Sequence, residues 1–253
     1  VLSTVRARVA DGYREIVLTG TKIGVYRDGD VTLAGLVRQV LDLPDVARLR
    51  LSSLQPQELS PELLSLWRDS RLCRHFHLSL QSGSGTVLQR MRRGYDPAAY
   101  TDALEHIRAA VPGAAITTDI IVGFPGETDA EFESTVSFCE AARFARIHVF
   151  PYSGRPGTPA AQMAAQVAGP VVKQRMAAME AVAGCSWKAY ASSWLGKELQ
   201  VVWEGETSEG SGIYAGTSDN YLKLLCHSPV ALQNTLEQVT LESIDGDGVW
   251  VRR

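Results

Sequence analysis

Residues Ile116 to Thr128 read ITTDIIVGFPGET. An apolar, β-branched run carries one carboxylate, Asp119, and ends in a Gly-Phe-Pro-Gly loop whose acid, Glu127, stands directly before a helix start. The run predicts a buried strand and the loop a strand-to-helix junction, the place where α/β proteins hold ligands. Two other stretches repeat the arrangement: HLSLQSGS at His77 to Ser84 and VFPYSGRPGTPAA at Val149 to Ala161. Three strand ends of one type predict one shared site.

Outward from this run the chain alternates strand and helix. Strands are expected at Glu15 to Thr19, Arg48 to Leu51, His75 to Leu80, Ala115 to Ile121 and Arg146 to Phe150. Helices are expected between them. Ser60-Pro61 and Asp96-Pro97 each combine a capping side chain with Pro in the first turn. Thr128 and Glu131 have the spacing of a capping box for a helix reaching Ala142. Strands recurring at intervals of roughly 30 to 40 residues with helices between them predict parallel βα units, in a wound sheet or partial barrel. Ligands of such folds sit at the carboxyl ends of the strands. Thr19-Gly20-Thr21 and Leu51-Ser52-Ser53 belong to the same edge. A long helical stretch from Val167 to about Ser193 reads as a connector.

After Gly196 the texture changes to short alternating segments, Leu199 to Trp203, Tyr221 to Leu225 and Leu236 to Ile244, then a tight Asp-Gly-Asp-Gly turn into Val249 to Val251. A small β-barrel is expected there. From Tyr190 onward four Lys or Arg stand against nine Asp or Glu, a net charge of −5, while the preceding residues carry +2. An acidic barrel makes a poor electrostatic partner for a phosphate backbone. Nucleic acid contact would need local basic spots or stacking on Tyr214, Tyr221 or Trp203, which otherwise serve as barrel core.

At 253 residues, 45% hydrophobic and 21% charged, the composition is that of an ordinary globular protein with room for one large and one small domain. No apolar stretch reaches the roughly 18 residues of a membrane span, and a cytoplasmic location follows. Cys73, Cys139, Cys185 and Cys226 are too far apart for a zinc or iron-sulfur ligand run and read as buried free thiols. The chain opens at Val1 inside a helical pattern, which reads as part of something longer.

Several residues suit ligand chemistry. Asp119 lies in an apolar strand, so it binds a polar ligand, orients a neighbour, or pairs with an inward Arg. Gly123, Gly126 and Glu127 form a loop whose backbone amides can approach a ligand closely. Gln81, Ser82, Gly83 and Ser84 offer a carboxamide and hydroxyls for ribose or carboxylate hydrogen bonds. Arg90, Arg92 and Arg93 meet a phosphate or carboxylate, or form a solvated helix end. The five histidines have no adjacent nucleophile motif, and no Walker loop or GxGxxG is present.

The ordered blocks EIVLTGTKIGVY (Glu15 to Tyr26), RLRLSSLQPQEL (Arg48 to Leu59), HFHLSLQSGSGTVLQRMRRGY (His75 to Tyr95), ITTDIIVGFPGETDAEF (Ile116 to Phe132) and RIHVFPYSGRPGTPAA (Arg146 to Ala161) closely resemble the radical S-adenosylmethionine methylthiotransferases. LTG followed by IG, and HVFPYS, resemble the branch acting on N6-threonylcarbamoyladenosine in tRNA more than the isopentenyladenosine or ribosomal-protein branches. TSDNYLKLL at Thr217 to Leu225 resembles the family's C-terminal TRAM domain.

The resemblance implies an incomplete (βα)6 radical-SAM partial barrel over residues 1–166, a connecting helix over 167–195 and an all-β TRAM-like barrel over 196–253. It implies an enzyme converting threonylcarbamoyladenosine, beside the anticodon, to its 2-methylthio form. The cofactors would be S-adenosylmethionine and two 4Fe-4S clusters. The CxxxCxxC loop and first barrel strand of the family belong ahead of Val1, so the cluster ligands lie outside this chain, and these residues alone are expected to be inactive. Carried over, Thr19, Gly20 and Thr21 would lie near the methionine amino group. Gln81, Ser82 and Ser84 would line the ribose or carboxylate, with Arg93 as a carboxylate partner, and Ser52 would be a further cofactor-binding residue. Gly123 and Glu127 would stand beside the adenosine, Asp119 on the floor, and the backbone from Val149 to Tyr152, including Phe150, against adenine. Lys22 and Gly85 depart from the family pattern, where Asn and Asp are commoner. The tRNA anticodon loop is the expected partner, with the sulfur and electron donors unnamed, and the open barrel edge invites a dimer. A non-catalytic RNA-binding scaffold that has lost its cluster is the competing class.

Overall fold

The computed structural model describes all 253 residues. Its first half is a curved layer of five parallel strands. β1 (Glu15–Leu18) pairs with β4 (Arg48–Leu51), while β5 (His75–His77), β6 (Ala115–Val122) and β7 (Arg146–Pro151) pair in that order. Between β1 and β4 a hairpin of two-residue strands, β2 (Arg27–Asp28) with β3 (Val31–Thr32), precedes the helix Leu33–Leu41. The two groups of parallel strands join through backbone bridges: Leu49 N–H donates to Arg71, Cys73 N–H to Leu49 and Leu54 N–H to His77. The expected strand at His75 to Leu80 is shorter than read, because Leu78 and Gln81 make only single bridges. Gln81 adopts φ +72°, which turns the chain out of the sheet.

Helices cover the outer face: α1 (Leu2–Ala10), α2 (Leu33–Leu41), the short α3 (Pro61–Ser65) and α4 (Gly85–Arg90), α5 (Pro97–Ala110) and α6 (Asp129–Ala142). Their starts obey the cap chemistry: Asp96 accepts from Ala99 N–H, and Thr128 and Glu131 exchange the two bonds of a capping box. Alternation along β6 assigns the faces. Ile116, Ile120 and Val122 enter a core of 36 residues under the helices, while Thr117, Asp119 and Ile121 face the concave side.

A 24-residue helix, α7 (Gly169–Ser192), leads to a closed five-stranded barrel of β8 (Glu198–Glu206), β9 (Ile213–Ser218), β10 (Lys223–His227), β11 (Leu236–Asp245) and β12 (Gly248–Arg252). Sequence reading missed β9, whose Gly216 lies against the Val202 carbonyl, and placed β10 two residues early. Tyr221, at φ +68°, belongs to the turn before β10. The aromatics offered for base stacking are used internally. Trp203 is fully buried and Tyr214 nearly so, and Tyr221 stacks on His75 of the first half, ring centroids 3.9 Å apart.

That stack belongs to a joint between the two halves. Arg48 and Arg50 project from the concave face of β4 into the small barrel. Arg48 donates to the Gln200 and Thr217 carbonyls at 3.2 and 2.7 Å, and Arg50 to Ser218 at 2.8 Å. Both also pair with Glu15. Burial alone would raise the Glu15 carboxyl, but the two guanidiniums outweigh it and hold it below the ordinary value. The small barrel thus plugs one end of the concave layer and leaves the strand-carboxyl end open. At the side, β1 has no partner beyond β4, and Tyr13 and Val17 are about half exposed along that edge. No helix is long and apolar enough to cross a membrane.

Candidate functional site

At the carboxyl ends of β5 to β7 lies a cleft of about 600 Å³, where Gln81, Arg93, Asp119, Phe150 and Tyr152 meet. A larger hollow of about 800 Å³ lies between α6 and α7, on the outer side, away from every strand end. The cleft's polar groups have unspent capacity. The Gln81 and Arg93 side chains make no hydrogen bond within the protein, and the Tyr152 hydroxyl is buried without a partner. Phe150 remains about half exposed, a flat apolar surface facing the opening. Arg92 and Arg155 stand at the rim, also without acceptors, whereas Arg90 is consumed by Glu131 at 2.8 and 2.9 Å and by the Gly126 carbonyl. The Arg90 guanidinium, with the Thr86 hydroxyl and Thr128 N–H, draws the Glu131 carboxyl down to about 2.

Asp119 forms the floor. Its partner is a histidine and not the inward arginine that sequence reading offered: His77 Nε2–H donates to Asp119 Oδ2 at 3.1 Å. Oδ1 accepts nothing from the protein. Partial burial raises this carboxyl, but hydrogen bonding, led by the bond from His77 with a longer one from Ser79, outweighs burial and leaves it below the ordinary value, ionised near neutral pH.

Other expected site residues face elsewhere. The carboxylate of Glu127 is 1% exposed, accepting from Gly123 N–H at 2.8 Å and Arg175 at 2.9 Å. Burial pushes it above the ordinary value despite those donors. Its loop is therefore locked onto α7. A Cβ on Gly123 would come within 2.6 Å of Val172, so that glycine serves helix packing and not ligand approach. Ser82 bonds Thr135 and Ser84 N–H, and Ser84 caps α4, so both hydroxyls serve the turn. Thr19, Gly20 and Thr21 are exposed beside β1 outside the cleft. Ser52 follows β4, its hydroxyl buried and unpartnered. One strand edge therefore carries these residues, but the cleft gathers five of them.

Cysteines supply no metal site. Cys73, Cys139 and Cys226 are buried apart, burial pushing the first two thiols up to about 12 and the third to about 11, and no group of His, Cys, Asp or Glu has metal-binding geometry. Cys185 is exposed, against the expectation of four buried thiols. Sequence reading passed over Arg155, Arg175 and the joint arginines. RLRL at Arg48 to Leu51, a period-two pattern with arginines on one face, was the available signal for the joint.

Residues 1–139 match the Radical SAM superfamily model. The chain is 40% identical over 224 residues to the threonylcarbamoyladenosine tRNA methylthiotransferase MtaB of Treponema pallidum, covering 88% of this chain and 45% of that protein. It is 41% identical over 224 residues to the tRNA-2-methylthio-N(6)-dimethylallyladenosine synthase of Salinispora arenicola, covering 85% and 44%. The chain spans about half the length of the curated relatives it matches. Among solved structures, coproporphyrinogen III oxidase (HemN) from Escherichia coli superposes with TM-score 0.59 at 14% identity, covering 86% of this chain and 58% of that one. The parallel layer, its strand-end cleft and the match over more than half its residues establish that the chain belongs to the Radical SAM superfamily.

Proposed function

We propose that the protein works as a tRNA methylthiotransferase, converting N6-threonylcarbamoyladenosine beside the anticodon to its 2-methylthio form, with S-adenosylmethionine bound in the strand-end cleft. The observation that carries this reading is the cleft itself. It presents Asp119 Oδ1, the Gln81 carboxamide, the orphaned Tyr152 hydroxyl, the free Arg93 guanidinium and the face of Phe150 around one volume. These groups suit a nucleoside carrying a carboxylate: acceptors and donors for ribose, a cation for the carboxylate, an apolar face for adenine. S-adenosylmethionine with a 4Fe-4S cluster supplies the radical chemistry of the superfamily, and two clusters belong to this reading. The residues present do not fit a cluster, so no step is routed through one. What this chain's residues do is bind, orient and shield.

Two features favour the threonylcarbamoyl substrate over the dimethylallyl one. The relatives with that name include the Treponema pallidum and Bacillus subtilis proteins. The rim also carries Arg92 and Arg155 without internal partners, and a threonylcarbamoyl arm ends in a carboxylate whereas a dimethylallyl arm is apolar. The test is mass spectrometry of tRNA nucleosides from cells lacking the gene. Loss of the 2-methylthio form with accumulation of threonylcarbamoyladenosine supports the reading. Unchanged nucleosides sink it, and loss of the methylthio dimethylallyl form transfers it to that branch.

A further inference from the structure

The Asp119 carboxylate is the last member of a chain of contacts, one ring stack followed by three hydrogen bonds, that starts in the other half of the molecule. Tyr221, in the turn before β10, lies flat on the His75 ring, centroids 3.9 Å apart and planes within 3°, with the Arg50 guanidinium 5.4 Å from the Tyr221 centroid. His75 Nε2 and His77 Nδ1 both reach the Thr117 hydroxyl at 2.9 Å, and His77 Nε2 reaches Asp119 Oδ2 at 3.1 Å. Proton inventory fixes the direction. A carboxylate only accepts, so His77 donates through Nε2–H, and in the neutral ring its Nδ1 accepts from Thr117 O–H. The Thr117 oxygen in turn accepts from His75 Nε2–H. His75 Nδ1 is buried with no partner, and in this assignment it is a bare lone pair and not a stranded proton. Burial first, then the Arg50 charge, holds His75 well below its ordinary value, in keeping with a neutral ring.

We propose that Tyr221 of the C-terminal barrel, acting through His75, Thr117 and His77, sets the orientation of Asp119 in the cleft, so that this barrel is a structural part of the nucleoside-binding floor. The stack fixes the plane of His75, which aims Nε2 at Thr117. Thr117, fully buried, has one proton and no other acceptor near it than these rings. That single proton holds His77 in the tautomer that grips Asp119 Oδ2 and leaves Oδ1 directed at the opening. Oδ1 then accepts from a hydroxyl or amino group of the bound nucleoside. His75, Thr117, His77 and Tyr221 are positioning residues; of these five side chains Asp119 alone touches ligand. The proposal rests on the reading of the cleft as a nucleoside site.

The experiment is a double-mutant cycle in the full-length protein with S-adenosylhomocysteine as probe, read by calorimetry. Asp119→Asn is expected to weaken binding roughly tenfold and Thr117→Val, which keeps the shape and removes the hydroxyl, roughly fivefold. The double variant should bind no worse than Asp119→Asn, because Thr117 acts only through Asp119. Tyr221→Leu should weaken binding about threefold and vanish on the Asp119→Asn background in the same way. Nitrogen-15 spectra should place the His77 proton on Nε2. Additive losses, or a His77 proton on Nδ1, overturn the proposal; Thr117→Val decides the matter if Tyr221→Leu fails to fold. A protein that shows the cycle yet forms no methylthio nucleoside would retire the substrate reading and leave this one standing.

Discussion

The two ends of the concave face contain the same kinds of side chain in opposite states of satisfaction. At the plugged end, Arg48 and Arg50 are almost fully buried, and each directs its N–H groups at Glu15 or at carbonyls of the small barrel. At the open end, Arg92, Arg93 and Arg155 meet no acceptor, and Asp119 keeps one oxygen free. A buried charge must be paired, since an uncompensated one costs several kcal/mol, whereas an exposed one can wait for a ligand. Charge type alone says little about role; the completeness of the bonding shell separates architecture from site.

The sharpest way to break this contrast is at the plugged end. Arg50→Ala strands Glu15 with half its compensation and leaves the Ser218 carbonyl without its side-chain donor, so a loss of about 3 to 5 kcal/mol in urea unfolding is expected. A loss below about 1 kcal/mol would mean the joint is not a cohesive part of the fold. Glu127→Gln should follow, at about 3 kcal/mol, because Arg175 loses its one buried counter-charge and keeps the residue 127 carbonyl and Asp129, the latter itself 94% exposed. The same variant should leave S-adenosylhomocysteine affinity within about twofold if Glu127 is a lock and not a ligand contact.

Much of this arrangement was legible. The apolar run at Ile116 to Val122 and the cap residues Asp96 and Thr128 are local signals, and local chemistry settled those elements. The partners of Glu127 and Asp119 were not legible. Arg175 lies 48 residues from Glu127 and His77 lies 42 from Asp119, and nothing in a one-dimensional pattern says which inward side chains meet. Ser82 and Ser84 misled for a related reason, since a hydroxyl in a tight turn serves the turn's own amides as readily as a ligand.

Acid should act on the histidines of the concave face before its carboxylates respond. His75 is held neutral in the fold, well below its ordinary value of 6.5, by burial first and then by the Arg50, His77 and His148 charges, and burial lowers His148 in the same sense. A depressed folded value means the unfolded chain takes up the proton first, so stability is whole above about pH 6.5 and declines as pH falls below it. A second limb follows below the ordinary carboxylate value of 4.5, where Glu131, drawn down to about 2, loses its contribution progressively toward that value. Urea midpoints measured from pH 8 to pH 3 should show both limbs. A midpoint that does not move between pH 7 and pH 5 would contradict the buried neutral His75.

The smallest effect on stability and the most telling one for function belongs to Arg155. It is exposed at the rim and bonded to nothing, so Arg155→Ala should change unfolding free energy by no more than about 0.5 kcal/mol. If its guanidinium reads the carboxylate of the threonylcarbamoyl arm, the variant should bind a modified anticodon stem-loop about fivefold more weakly, through loss of a charge-assisted pair. Esterifying that carboxylate should cost the wild type a similar factor and the variant almost nothing. A phosphate contact gives a different pattern, with the variant equally weakened toward ester and acid, and a larger salt dependence for the wild type. The ester comparison therefore decides whether the unsatisfied end of the concave face is built for the modified base or for the backbone that carries it.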